Sequence, residues 1–133
     1  MAGYSSTPLA RKLGLKPAQR LRLVRAPGAL YADLGPLPEG AQDGPAPWDL
    51  VLLFCPDLQH LQEDFAEHRD GLSSAGMLWV AWPKKASKVP TDLTGDVVRA
   101  FGLEAGLVDV KVCAIDATWS GLKFVRRLAD RRG

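Results

Sequence analysis

The residues best suited to chemistry fall in two short stretches. The first is Trp82-Pro83-Lys84-Lys85-Ala86-Ser87-Lys88, where an apolar run ends in a proline and turns basic; the second is Asp116-Ala117-Thr118-Trp119-Ser120, with Lys123 just beyond it. Ammonium groups, hydroxyls and an indole face suit recognition of a phosphate or carboxylate, because charge-assisted hydrogen bonds are the strong ones. Trp82, Lys84, Lys85, Ser87, Asp116, Thr118, Trp119 and Lys123 therefore form the candidate ligand-binding set. Asp116 beside Lys84 or Lys85 could also form an acid–base pair, although charged neighbours at a rim are usually weak ion pairs. A competing reading makes Lys84, Lys85 and Lys88 a solvated loop with Asp92 and Asp96 as counter-ions. Trp119 fits packing as well as binding, and Trp79 fits the core.

No other motif carries chemistry. The sequence holds no HisxxHis, GxSxG, P-loop or CxxC pattern, so no catalytic, metal-binding or cofactor-binding residue is assigned and no cofactor is expected. Cys55 and Cys113 lie in apolar, strand-like runs and read as buried free thiols; an apolar setting raises a thiol pKa and makes a poor nucleophile. His60 falls on the wet side of an amphipathic run and His68 near its margin, so both read as surface histidines.

The elements that must position these residues follow from period and punctuation. Thr7 as N-cap, Pro8 at the first position and Gly14 as terminator mark a short helix. Gln19 to Ala26 alternates Leu21 and Leu23 with Arg20 and Arg22, which predicts a strand at an edge or with one face uncovered. Ala29 to Leu34 allows a turn or two of helix, and the Pro- and Gly-rich stretch 35–47 reads as a surface loop. Asp49 to Cys55 is a strand buried on both faces. Asp57 caps a helix whose apolar side is Leu58, Leu61, Phe65 and Leu72, closed by Gly71 to Gly76. Met77 to Trp82 is a third strand, with Trp79 and Trp82 on opposite faces. A helix starting near Thr91 or Asp92 buries Leu93, Val97, Val98, Phe101 and Ala105. Val108 to Ile115 is a fourth strand, with Val108, Val110, Val112 and Ala114 on one face. Asp116 to Gly121 turns the chain into an antiparallel fifth strand, Leu122 to Arg127, and the basic tail after it is frayed.

These elements predict an α/β fold, a three-layer Rossmann-like sandwich over residues 1–133 as one domain. Its sheet has five strands, mostly parallel, closed by an antiparallel C-terminal hairpin. Right-handed crossovers bring the carboxyl ends of the parallel strands to one edge, where open α/β sheets bind ligands. If the fifth strand inserts beside the third, Lys84 and Lys85 come near Asp116, Trp119 and Lys123.

Several stretches together resemble a known family. Leu78-Trp79-Val80-Ala81-Trp82-Pro83-Lys84-Lys85-Ala86-Ser87, Thr91-Asp92-Leu93-Thr94, Gly106-Leu107-Val108-Asp109-Val110-Lys111-Val112-Cys113 and Thr118-Trp119-Ser120-Gly121-Leu122-Lys123-Phe124 are similar to the bacterial domain-of-unknown-function family numbered 3052. That resemblance implies no activity. The succession of elements also resembles the trailing half of a class I S-adenosylmethionine methyltransferase, which implies strand order 1-2-3-5-4. The glycine-rich turn of that fold is absent: Arg25-Ala26-Pro27-Gly28-Ala29 has a single glycine. A trimmed, inactive relative is the expectation.

The function expected is a non-catalytic binding module that takes a small anionic ligand or a protein partner at the carboxyl edge of the sheet. The alternative is a small transferase with an unconventional S-adenosylmethionine or nucleotide site. A protein partner or a second copy would pair with the edge of the first strand, where Arg20, Arg22 and Arg25 could equally blunt it. Nucleic acid ranks last: 17 basic against 15 acidic residues give a net charge of only +2, and Trp119 is the one aromatic expected to be exposed. Neither a signal peptide nor a run long enough to span a bilayer is read, so a cytoplasmic location is expected.

Overall fold

The computed structural model describes residues 8–131. Two strands form its centre, β3 (Trp48–Phe54) and β4 (Leu72–Pro83). Val51, Leu52, Leu53, Leu78, Trp79, Val80 and Ala81 have no exposed surface, which requires cover on both faces and explains the unbroken apolar runs. β3 pairs in parallel with β4 and, on its other side, with β1 (Arg20–Val24). β6 (Trp119–Arg126) pairs antiparallel with β4, and β5 (Leu107–Ala114) lies antiparallel beyond it.

Helices cover both faces. Leu61 and Phe65 of α3 (Leu58–Asp70) and Val98 of α4 (Gly95–Glu104) pack with Val51, Leu53, Val80, Trp82, Leu122 and Phe124. On the opposite face, Leu9 and Leu13 of α1 (Leu9–Leu13) join Leu30 and Leu34 of α2 (Gly28–Leu34) over Leu50, Leu52, Phe54, Trp79 and Ala81. α4 approaches the sheet closely because Gly102 has no side chain. A Cβ there would lie 2.1 Å from Phe124 Cε1.

The strand count and order differ from the expectation. Among the described residues the sheet has six strands in the order β2-β1-β3-β4-β6-β5, because Gln42–Asp43, inside the stretch read as loop, forms β2 alongside Arg20 and Leu21. Order 1-2-3-5-4 lacks this outer strand. β2 also means that the first strand is not a bare edge along Arg20 and Leu21, and Arg22 and Arg25 have partners. Arg22 lies 5.9 Å from the Trp48 ring, and Arg25 pairs with Asp64 of α3.

Other boundaries shift for identifiable reasons. The segment read as closing α3 starts β4 at Leu72 instead. α4 begins at Gly95, since the Thr94 hydroxyl accepts the Val97 N–H at 3.2 Å. Val97 faces outward, 36% exposed. β6 begins at Trp119, three residues before the expected start, and leaves a shorter turn. The register of β5 slips between Asp109 and Lys111, a bulge that splits the expected common face: Val108 pairs with Val125 and Val112 with Leu122, on opposite sides of the sheet. Val110 and Val112 are consequently 53% and 59% exposed. His68 is buried, stacked on Trp48 at 5.1 Å with Nδ1 2.7 Å from the Asp64 carbonyl. The expected N-cap, Thr7, lies outside the described residues.

Candidate functional site

The carboxyl edge is built where β4 stops. Pro83 sits opposite Trp119, and the Lys84 N–H donates to the Thr118 carbonyl at 2.8 Å, so the basic loop and the β5–β6 turn start from a common anchor. The chain then makes a 3-10 turn over Lys85–Ser87. Within it the Ser87 hydroxyl donates to the Lys84 carbonyl at 2.7 Å and accepts the Val89 N–H at 3.3 Å.

The segment before α4 is stapled to the start of α3. The Thr91 hydroxyl donates to the Pro56 carbonyl at 2.7 Å, and Asp92 accepts the Leu58 N–H at 2.8 Å. Asp92 thus supports Asp57, which caps α3 by accepting the His60 N–H at 3.0 Å. Asp96 lies 3.7 Å from Arg99. Neither Asp92 nor Asp96 is a counter-ion for the basic loop.

The expected set is divided between the two faces of the sheet. On the α4 side, a cleft of about 490 Å³ is lined by Trp82, Pro83, Lys85, Lys88, Val89, Pro90, Thr91, Leu93, Thr94 and Gly95. Its floor is apolar, with Gly95 close enough that a Cβ would meet the Trp82 indole at 3.5 Å. Lys85 and Lys88 are exposed at its rim, and the first turn of α4 points partial positive charge at it. On the α1 side, a cleft of about 650 Å³ is lined by Leu9, Lys12, Asp33, Lys84, Ala114, Ile115, Asp116 and Ala117. Lys84 and Asp116 share that second cleft, whereas Lys85 and Trp82 share the first.

Three of the expected residues have structural duties. One Asp116 oxygen accepts the N–H groups of Thr118 and Trp119, each at 2.8 Å, and so shapes the turn. Trp119 stands edge-on to Phe54 at 5.0 Å, which is a packing contact. Lys123 is not at the rim: it pairs across strands with Trp79, well below the edge, with Nζ 5.9 Å from that ring. Sequence reasoning missed Val89, Pro90, Leu93 and Thr94 as cleft walls. The one signal for them was the Val89-Pro90 pair, which keeps the chain extended before the helix.

Among the described residues, no group of three or more His, Cys, Asp or Glu side chains could hold a metal ion, and no helix is long and apolar enough to cross a membrane.

The described residues form an α/β fold with a mixed six-stranded sheet and four α-helices. No protein-family model matches the sequence, so the expected resemblance to family 3052 is not confirmed. No curated protein matches it. Among solved structures, the chain is similar to a ribosomal protein L11 methylase from Lactobacillus delbrueckii subsp. bulgaricus, at 12% identity with a TM-score of 0.43. The alignment covers 80% of this chain and 57% of the methylase, so the chain spans little more than half the length of that protein. So distant a likeness carries no argument about activity.

Proposed function

We propose that the protein is a binding module whose ligand carries an apolar or planar body and one anionic group, held in the cleft between the end of β4 and the start of α4. The observation that carries this reading is the composition of that cleft: Trp82, Pro83 and Leu93 form an apolar floor beneath two exposed ammonium groups, Lys85 and Lys88. Binding sites of small molecules combine a mostly apolar lining with a few placed polar groups. The wall is preorganised by the Thr91 and Asp92 hydrogen bonds, which reduces the ordering cost of binding.

A thermal-shift panel of aromatic carboxylates, nucleoside monophosphates, S-adenosylmethionine and S-adenosylhomocysteine tests it. A ligand at a hundred times its dissociation constant stabilises the folded state by about 2.7 kcal/mol. The shift should disappear in Lys85→Ala/Lys88→Ala while unliganded stability stays the same. A panel with no response, or a response that survives this double substitution, removes the cleft as the site. A shift with S-adenosylmethionine and turnover of it would favour the small transferase instead.

A further inference from the structure

The face of the sheet covered by α1 carries a second concentration of charge. Lys111 and Lys123 are direct cross-strand partners in β5 and β6, a placement of like charges that is destabilising by itself. Lys111 Nζ donates to the Lys12 carbonyl at 3.2 Å, which brings the last turn of α1 alongside. Lys16 follows three residues after that helix, and its N–H is held by the Gln19 side chain at 2.8 Å. Lys123 is partly buried, and its pKa is lowered by burial and by the charges of Lys111 and Lys16. The Cys113 thiol is raised by burial, and the charges of Lys111, Lys12 and Lys123 oppose that rise.

None of these four lysines has a carboxylate partner: the ion pairs among the described residues engage arginines and His60. Lys12 does border the neighbouring cleft that contains Asp33 and Asp116, yet neither acid lies within ion-pair distance of it. β5 and β6 therefore hold Lys111 and Lys123 opposite one another beside the end of α1, which carries Lys12 and leads into the Lys16 loop, with no carboxylate to offset the repulsion.

We propose that Lys12, Lys16, Lys111 and Lys123 form a binding site for a compact oligophosphate chain, on the opposite face of the sheet from the β4–α4 cleft and independent of it. The charge favours a ligand with several negative groups, since one carboxylate would leave most of the repulsion in place. Lysines are flexible point charges and suit a phosphate chain without demanding a fixed fork geometry. The charge is centred on one cross-strand pair, Lys111 and Lys123, and so favours a short chain over an extended nucleic-acid backbone, which would need a basic stripe.

Isothermal titration with inorganic tripolyphosphate at low ionic strength tests this. The wild-type protein should bind, Lys111→Gln/Lys123→Gln should weaken binding at least tenfold, and Lys85→Gln/Lys88→Gln should bind as the wild type does. Without the anion, Lys111→Gln/Lys123→Gln should melt no lower than the wild type, because the opposed charges are gone. Should that variant fail to fold, Lys16→Gln, an exposed loop substitution, should still weaken binding severalfold. A nucleoside triphosphate should bind comparably if the phosphate chain alone is recognised. The proposal is overturned if tripolyphosphate does not bind, if binding is lost in Lys85→Gln/Lys88→Gln instead, or if only a single-stranded oligonucleotide binds.

Discussion

The indole N–H of Trp79 donates to the Leu13 carbonyl at 2.8 Å, so a five-residue helix is tied to the middle of the sheet by one buried hydrogen bond. Helices this short have little stability of their own. Trp79→Phe keeps an aromatic ring in place but leaves the Leu13 carbonyl without a donor, which costs about 1–3 kcal/mol. The expected outcome is a lower urea midpoint with an unchanged slope; an unchanged midpoint would show that apolar contacts alone hold α1.

Gly102 and Phe124 define the tightest approach of a helix to the sheet. In Gly102→Ala the new methyl group would overlap the Phe124 ring, and forcing α4 outward should destabilise by roughly 1–3 kcal/mol or more. Gly106→Ala, at the left-handed position after α4 where a Cβ meets nothing, should lose only the cost of positive φ. Parallel denaturant melts of the two variants separate the mechanisms.

The two thiols should report on different events. Cys55 is fully buried, and burial pushes its pKa up to about 12. Cys113 is also raised by burial, but its neighbouring lysines oppose the effect. Alkylation of the native protein near pH 8 should therefore label Cys113 alone, with Cys55 labelled only after unfolding. Equal labelling of both in native buffer would contradict the packing of β3.

The Asp57 carboxyl is held below the usual carboxylate range, first by the His60 backbone N–H and then by the His60 ring. The unfolded chain takes up this proton at the higher pH. Stability from the cap is thus fully present above the unfolded value near 3.9 and is lost as pH falls through the folded one. Asn caps helices about as well as Asp. Asp57→Asn should therefore melt near the wild type at neutral pH while losing less on acidification between about pH 5 and pH 3; melting curves across that range check it.

Much of this architecture was legible because it rests on backbone punctuation and buried runs. β3 and β4 are continuous apolar segments that both faces of a sheet require, and the Asp57 cap follows from residue type. β2 was not legible, since Gln42 and Asp43 are polar and exposed and are placed only by backbone hydrogen bonds such as Gln42 N–H to the Gln19 carbonyl. His68 sat at the margin of its helical face, and only the tertiary position of Trp48 buries it. The bulge at Val110 reverses the parity of β5, which no alternation pattern can show. For the site, the sequence brought Lys84 and Asp116 to the correct edge but could not assign faces. The depth of Lys123 along β6 depends on where that strand begins, and a start at Trp119 sets it opposite Trp79, away from the rim.

The position of β6 has a consequence for how the molecule comes into being. Among the described residues this strand follows all the others yet lies between β4 and β5, and β5 pairs with no other strand. During synthesis β5 emerges before its sole neighbour, so neither it nor the lysine pair across it can form until β6 has left the ribosome. The half of the sheet that bears Lys111 and Lys123 is therefore the last to assemble, and nascent chains arrested before Trp119 should hold β3 and β4 while lacking that lysine pair.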